Sequence, residues 1–253
     1  RGRAVRFDAA LRERASRHEE LRLRLGAAID EDQLWIALQP IVRLADRGVV
    51  GAEALIRWDH PESGTLLPDT FLEVADDAGL MPEIGAWVFD AACAQVARWR
   101  AARVEPTGAP LWVAVNVTHS ELLHPGFADT VLGALDRHGL PGGALCVEVT
   151  ERALLDDPGR ATDALRPLRD AGVCLAIDDF GTGYTSLGAL RRFSPDQVKI
   201  DRAFVNGLSG SPSDAALVRA VIQMGHALGV AVIAEGVELV EQQHLLTVLG
   251  CDL

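Results

Sequence analysis

Residues 173–184 read VCLAIDDFGTGY, an apolar, strand-like run that ends in the acidic pair Asp178 and Asp179 and continues into a glycine-rich loop. Other short apolar runs also carry or precede a side chain that can bind a metal or transfer a proton. These are Glu53 in Ala52–Arg57, Asn116 in Leu111–Val117, Glu148 in Ala144–Thr150, Lys199 in Gln197–Ile200 and Glu235 after Val230–Ala234. Because parallel strands deliver the side chains at their ends to one rim, this repetition predicts a single site.

Strand-like and helical segments alternate along most of the chain. The runs Leu34–Leu44 and Val49–Trp58 are separated only by Ala45–Gly48, which is too short for a parallel crossover, so these two strands should be antiparallel. Helices are predicted at Asp69–Gly79, Pro82–Ala102, Pro125–His138, Gly159–Ala171, Tyr184–Arg192, Ser213–Leu228 and Leu239–Leu249. Repeated βα units of this length predict a parallel sheet covered by helices.

Two parallel architectures fit that alternation. An open doubly wound sheet would bind its ligand at one switch point and carry a glycine-rich turn after the first strand, and no such turn is present. A closed βα barrel places functional side chains at many strand ends. We therefore predict an α/β fold, a modified TIM (β/α)8-type barrel with an antiparallel first strand. Seven strands are counted by Ala234, so the eighth strand, which should follow the helix ending near Leu249, is expected to be missing at the C-terminus.

Composition limits the classes of protein to consider. The chain has 253 residues, of which 49% are hydrophobic, enough for one large domain with a sizeable core. Its formal net charge of −12 argues against binding a nucleic acid polymer or an anionic membrane. The four cysteines show no CxxC spacing and are expected to be buried, reduced thiols. No signal peptide or membrane-spanning apolar stretch is visible, so we expect a cytoplasmic domain, which could belong to a longer, membrane-tethered protein.

The first 25 residues differ from the rest. Residues 1–24 hold eight arginines and four acids around a thin apolar stripe. This pattern predicts a solvent-exposed linker helix over residues 1–25, followed by the main domain at 26–253. The interleaved acids make an arm that binds nucleic acid the weaker alternative.

The candidate site residues are mostly hard oxygen donors. Glu53, Asn116, Glu148, Asp178 and Asp179 are ligand types that Mg²⁺ or Mn²⁺ prefers, and the seven histidines form no zinc motif. Two such cations would stabilise both the attacking and the leaving oxygen of a phosphodiester.

Lys199 is the only lysine in a chain that otherwise uses arginine, which indicates a position where a compact ammonium group is needed. It could stabilise developing charge or orient a water molecule, and Glu235 could accept the proton from that water. Taken singly, each acid could instead cap a helix or form half of an ion pair, and Lys199 could pair with Asp201. The occurrence of such residues on six separate strand-like runs favours a functional site.

Together, these motifs resemble the EAL domain family of cyclic-di-GMP phosphodiesterases. The name-giving motif is Glu53-Ala54-Leu55. The resemblance covers about Leu25 to Leu253 and continues in order through Gln39–Val42, Glu53–Trp58, Asn116, Glu148–Glu151, Asp178–Tyr184, Lys199–Asp201 and Glu235–Glu238. The N-terminal helix is similar to the linker that follows a GGDEF domain in tandem GGDEF–EAL proteins.

The resemblance implies hydrolysis of cyclic-di-GMP to linear pGpG, with two Mg²⁺ or Mn²⁺ ions and inhibition by Ca²⁺. It implies a homodimer formed through helices near the Asp178–Asp179 loop, and an upstream GGDEF or sensor domain. The implied first-ion ligands are Glu53, Asn116, Glu148 and Asp178, with Asp178 and Asp179 serving the second ion. Lys199 and Glu235 would position and activate water, Glu151 would hold the loop after Asp179, and the residues near substrate would be Gln39, Leu55, Arg57 and Glu238.

Departures from the family pattern are few and remove no ligand. Leu38 stands where an aromatic residue is usual, Thr185 replaces a common serine, and Thr118 departs from an Asn-x-Ser pattern. The family also carries a glutamine just after the stretch matched by Gly250–Asp252.

Two other functions are compatible with parts of this pattern. A non-catalytic cyclic-di-GMP-binding regulatory module could use the same fold, because fold alone does not separate binding from catalysis. A barrel enzyme that abstracts a proton beside a carbonyl could use Mg²⁺ and Lys199, but it would leave Asn116 and Arg57 unexplained.

Overall fold

The computed structural model describes residues 9–105, 108–181, 192–208 and 210–253, with side chains from residue 18 onward. Within these ranges, eight strands form one curved sheet. They are β1 (Leu34–Val42), β2 (Val49–His60), β3 (Gly64–Leu66), β4 (Trp112–Val117), β5 (Leu145–Thr150), β6 (Cys174–Phe180), β7 (Gln197–Ile200) and β8 (Ala231–Ala234). The strand order is β1-β2-β4-β5-β6-β7-β8, and β3 pairs with β2 outside this path.

Helices alternate with these strands. They are α1 (Ala9–Ala28), α2 (Pro68–Asp77), α3 (Met81–Ala101), α4 (His119–Leu122), α5 (Phe127–Arg137), α6 (Glu151–Asp156), α7 (Pro158–Asp170), α8 (Arg202–Gly207), α9 (Pro212–Ala227) and α10 (Val240–Leu249). Six predicted helices are present with ends within two residues of the prediction. The seventh, Tyr184–Arg192, lies almost wholly outside the described residues. Four short elements were not predicted, because they are too short to show a clear period: α4, α6, α8 and β3.

The antiparallel first strand predicted from the short connection is confirmed. In the β1–β2 hairpin, Leu34 lies opposite Trp58 and Val42 lies opposite Val49. The pairings β2–β4, β4–β5, β5–β6, β6–β7 and β7–β8 are all parallel. The fold is therefore the predicted α/β arrangement, a mixed, curled sheet covered by helices.

The last two residues lie between the two ends of the curled sheet. The amide N–H of Leu253 donates to the carbonyl of Val232 at 3.1 Å, and that of Ala234 donates to the carbonyl of Leu253 at 3.0 Å. On the other side, the amide of Leu44, just after β1, donates to the carbonyl of Asp252 at 3.0 Å. Asp252 and Leu253 thus occupy the position at which the predicted closing strand would begin.

The end of α1 belongs to the hydrophobic core. Leu25 and Ala28 are fully buried and Leu21 is nearly so, whereas Leu23 is 65% exposed. The helix packs against α2. The expectation of a solvent-exposed linker helix ending at residue 25 is therefore wrong for these last turns. The sequence showed the stripe of leucines but not the surface on which it packs.

The four cysteines are free thiols, as predicted. Cys93, Cys146 and Cys251 are buried, and Cys174 is partly exposed. In the described part of the chain, no helix combines the length and apolar character needed to cross a bilayer.

We expect Leu25→Ala to lower the free energy of unfolding by about 2–5 kcal/mol, because it leaves a cavity under α1. Leu23→Ala in the same helix is the matched control, and it should change that free energy by less than about 0.5 kcal/mol. Urea unfolding followed by circular dichroism measures both. Equal, small effects of the two substitutions would show that α1 is not part of the core.

Candidate active site

Lys199 lies at the centre of a group of carboxylates inside the curled sheet. Its side chain is only 2% exposed. Its Nζ lies 2.6 Å from Glu148 Oε2, 2.6 Å from Glu235 Oε1, 3.2 Å from Glu53 Oε2 and 3.6 Å from Asp178 Oδ1. The four acids come from β2, β5, β6 and the residue after β8. Side chains that are up to 182 positions apart in sequence, from Glu53 to Glu235, therefore share one ammonium group.

Strand register places Asn116 in the same group. Asn116 lies opposite Glu148 in the β4–β5 pairing. Its Nδ2 donates to Glu53 Oε1 at 2.6 Å. Because successive side chains of a strand point to opposite faces, the neighbours of these polar residues pack outward under the helices. The same alternation that builds the core thus turns the polar residues inward.

A break in β6 brings both members of the acidic pair to the site. Asp179 has a left-handed backbone, with φ of 53°. The β6–β7 register shifts between Ile177 and Phe180. In a regular strand, adjacent residues would face opposite sides, but here Asp178, Asp179 and Glu235 each offer an oxygen within 4.8 Å of the others. The structure therefore shows the turn of both acids toward one point that the sequence predicted.

The charges of the site do not balance. Burial alone would lower the pKa of Lys199, but the carboxylates of Glu148, Asp178, Glu53 and Glu235 outweigh it and raise that pKa, so Lys199 stays protonated. Burial, with repulsion between the acids, raises the pKa of Glu148 to about 8 and that of Glu235 to about 7. One ammonium cannot neutralise four carboxylates, and some of them hold a proton near neutral pH.

Burial, followed by the nearby charge of Asp178, also raises the pKa of Asp179. Asp201 adds to this effect from the start of α8, where its Oδ1 accepts the amide N–H of Ala203 at 2.8 Å. The raised pKa of Asp179 thus reflects both its burial and the crowding of carboxylates beside the cluster.

The donor set fits a divalent cation. Glu148 Oε1 is buried and has no hydrogen-bond partner among the described residues. A buried, unpaired carboxylate oxygen is costly unless a cation or proton satisfies it. Oxygen donors with an excess of negative charge suit Mg²⁺ or Mn²⁺ and do not suit a soft metal.

A cavity of about 680 Å³ opens beside the carboxylate group. Its wall includes Glu53, Lys199 and Glu235, and the predicted substrate residues Gln39 and Glu238. This volume lies within the range of small-molecule binding sites, about 300–1,000 Å³. The cavity gives a small ligand direct access to the polar group.

The other predicted residues are placed less centrally. Leu55 and Arg57 follow Glu53 on the same face of β2 by strand alternation. Among the described residues, no hydrogen bond or ion pair joins either of them to the carboxylate group, and Arg57 Nη1 donates to the carbonyl of Ile56 at 2.8 Å. Glu151 begins α6 and is buried, and both its carboxylate oxygens lack a partner among the described residues. The loop that Glu151 was predicted to hold, residues 182–191, lies outside them.

Two residues that line or support this cavity were not predicted from the sequence. Arg202, an exposed residue, lines it together with Lys199. The position of Arg202 directly after the Lys199–Asp201 motif was the available signal. Gln242 is buried in α10, and its Oε1 accepts the amide N–H groups of Glu238 and Leu239 at 2.9 Å each. Gln242 thereby holds the turn that carries Glu238, which no sequence pattern indicated.

Comparisons with known proteins agree with this arrangement. The family model for the EAL domain matches residues 22–253. The bifunctional diguanylate cyclase/cyclic di-GMP phosphodiesterase MucR of Pseudomonas aeruginosa is 39% identical over 246 residues, which cover 97% of this chain and 35% of MucR. The chain thus spans about a third of the length of that curated relative.

Solved structures show the same likeness. The phosphodiesterase PaMucR, in a c-di-GMP complex, superimposes with a TM-score of 0.87 at 40% identity, covering 92% of this chain and 93% of that chain. Klebsiella pneumoniae BlrP1, in a calcium/cy-diGMP complex, superimposes with a TM-score of 0.73 at 32% identity, covering 87% and 53%. From the motifs, the barrel and these matches together, the chain belongs to the EAL domain family.

Proposed function

We propose that this chain hydrolyses one phosphodiester bond of cyclic-di-GMP to give linear pGpG. The observation that carries the proposal is the carboxylate group around Lys199, which has more negative charge than its single ammonium neutralises and opens into a ligand-sized cavity. The likeness to MucR, a phosphodiesterase solved with c-di-GMP, supplies the class of substrate.

Divalent cations would be held by the acids at the strand ends. Glu53, Asn116, Glu148 and Asp178 would hold the first, and Asp178 with Asp179 the second. When bound, two Mg²⁺ or Mn²⁺ ions supply positive charge to the attacking and leaving oxygens of a phosphodiester. The excess negative charge and the unpaired Glu148 Oε1 support this assignment.

Glu235 and Lys199 would act on the attacking water. Glu235 is partly buried at the cavity, and its pKa of about 7 suits a group that accepts a proton at neutral pH. The ammonium of Lys199, 2.6 Å away, orients the Glu235 carboxylate and would stabilise negative charge that develops on the phosphate.

Cationic groups near the cavity would receive the phosphates of the substrate. Arg202 lines the cavity directly, and Arg57 lies on the same face of β2 as Glu53. Gln39 and Glu238, which line the cavity, would offer hydrogen bonds, and Leu55, on the face of β2 that carries Glu53, would offer an apolar contact. Guanidinium groups suit this task because their fork of N–H donors matches the oxygens of a phosphate.

The longer relatives guide what we propose about partners. MucR combines this domain with a diguanylate cyclase, so we propose an upstream GGDEF or sensor domain that reaches this domain through α1. We further propose a homodimer in the cytoplasm, with Glu151 holding the loop after Asp179 in its active shape. A nucleic acid polymer is not proposed as a partner, because the net charge is −12.

We expect the chain to convert cyclic-di-GMP to pGpG in the presence of Mn²⁺, and excess EDTA to abolish the conversion, because the strand-end acids then lose the cations. Chromatography of the nucleotides measures substrate and product. Readdition of Mn²⁺ in excess over EDTA is the control for irreversible damage. Tight binding of cyclic-di-GMP without any pGpG would contradict the proposal and identify a non-catalytic regulatory module.

We expect Lys199→Met and Glu235→Gln each to lower kcat by about 10²–10⁴-fold, the usual range for loss of an acid–base group. Glu241→Gln, at an exposed position of α10, is the matched control and should hydrolyse at the unaltered rate. Circular dichroism checks that each variant is folded. Full-rate hydrolysis by either site variant would refute its assigned role.

Proton competition should make Mn²⁺ affinity depend on pH. Glu235 and Glu148, with pKa values of about 7 and 8, hold protons at pH 6 that the cation must displace, so affinity should rise with pH. Between pH 6 and pH 8 we expect the Kd for Mn²⁺, measured by calorimetry, to fall at least about tenfold. Glu235→Gln removes one of the two titrating groups and should reduce this dependence. A Kd that is equal at both pH values would count against Glu148 as a ligand and against a bound cation close to Glu235.

A further inference from the structure

A pair of thiols lies in the barrel below the carboxylate group. Cys146 of β5 and Cys174 of β6 lie directly opposite each other in the parallel pairing of these strands. Their Sγ atoms are 3.0 Å apart. Cys146 is fully buried and packs in a small apolar cluster with Ile41, Ala114 and Ala176. The pair has no part in the proposed hydrolysis.

The geometry of the pair is close to that of a disulfide. A disulfide needs Cα atoms about 4.4–6.8 Å apart, and neighbouring strands lie about 4.7–4.9 Å apart. Because Cys146 and Cys174 lie directly opposite each other, their backbones meet that requirement without a change of register. The sulfurs are about 1 Å farther apart than the 2.03–2.05 Å of a bond. A movement of about 1 Å, shared between the two side chains and their strands, would therefore join them.

The two thiols differ in access to solvent. Cys174 is partly exposed, whereas Cys146 is buried behind it. The Sγ atom of Cys146 lies 3.7 Å from Gln197 Oε1, and this oxygen can accept the thiol hydrogen of Cys146. A dissolved oxidant can thus reach Cys174 first, and the sulfur of Cys146 is already in contact to complete the reaction.

We propose that Cys146 and Cys174 form a redox pair that closes to an inter-strand disulfide in the presence of a peroxide. The sulfur of Cys174 attacks one peroxide oxygen, which breaks the O–O bond and gives a sulfenic acid and one water from hydrogen peroxide. The sulfur of Cys146 then attacks the sulfenic sulfur, the S–S bond forms, and the hydroxyl leaves as a second water with the Cys146 thiol proton. Two thiols are oxidised and one peroxide is reduced. Within a reducing compartment such a bond is transient, which suits a sensor.

The position of the pair connects it to the site above. Glu148 is two residues after Cys146 on the same face of β5, and Asp178 is four residues after Cys174 on the same face of β6. A bond between the sulfurs would draw the two strands together below these acids. The expected effect on activity rests on the proposed function. We expect the oxidised chain to hydrolyse cyclic-di-GMP more slowly, by up to about 100-fold, because a displacement on the order of 1 Å in an active site can lower the rate by that factor.

The test counts thiols and does not depend on activity. The chain is treated with hydrogen peroxide, unfolded, labelled with a maleimide and digested without reductant. We expect two of the four thiols to be lost, a linked peptide pair containing Cys146 and Cys174, and recovery of all four thiols with dithiothreitol. Cys93 and Cys251, both buried, are the internal controls and should stay labelled.

Variants separate the pair from a general effect of peroxide. Cys146→Ala should prevent the disulfide and leave Cys174 to over-oxidise, and hydrolysis by this variant should not recover with dithiothreitol. Cys93→Ala should behave as the unaltered chain does. Four labelled thiols after peroxide, or a disulfide that involves Cys93 or Cys251, would overturn the proposal. The linked peptide could also form in a chain that does not hydrolyse cyclic-di-GMP either before or after peroxide treatment. That result would support the redox pair and would contradict only the proposed function.

Discussion

One buried ammonium group organises the centre of this protein. Lys199 draws carboxylates from β2, β5, β6 and the end of β8 to within 3.6 Å of one nitrogen. Charges that are buried in this way are stable only when they are paired and hydrogen-bonded. Because the acids exceed the single cation, the pairing is incomplete, and the raised pKa values of Glu148 and Glu235 express the remaining repulsion. The same excess of negative charge favours the binding of divalent cations by this group.

The sheet positions these charged residues through the regular alternation of side chains along its strands. Parallel strands alternate apolar side chains toward the helices and polar ones toward the interior, so the core and the site come from the same segments. The exception is Asp179, whose left-handed backbone turns an adjacent acid to the same side. Aspartate is one of the few residues that adopt this conformation at low cost, about 1–2 kcal/mol or less. The strand break is thus part of how the site is built.

Three features of the structure lie where a change could alter the site. The cavity lies between β1 and the segment after β8, where Asp252 and Leu253 form backbone hydrogen bonds to both sides. The thiol pair lies on β5 and β6, directly below two of the acids. Helix α1, which would lead from any upstream domain, packs into the core through Leu25. The thiol pair can transmit a change to the site because β5 and β6 each carry a candidate ligand.

The sequence by itself determined the order of the longer elements, the antiparallel first strand and the set of polar residues, because these depend on local periodicity, connection length and residue type. It also identified the family, since seven separated motifs occur in order. It could not show that Leu25 is buried, that Arg202 lines the cavity, that Gln242 holds the turn after Glu235, or that the sulfurs of Cys146 and Cys174 touch. Those facts follow from strand register and helix packing, which join residues far apart in the chain, and only the tertiary structure decides them. The physical reason is that side-chain contacts across a sheet depend on the registers of all its strands together, and no single segment carries that information.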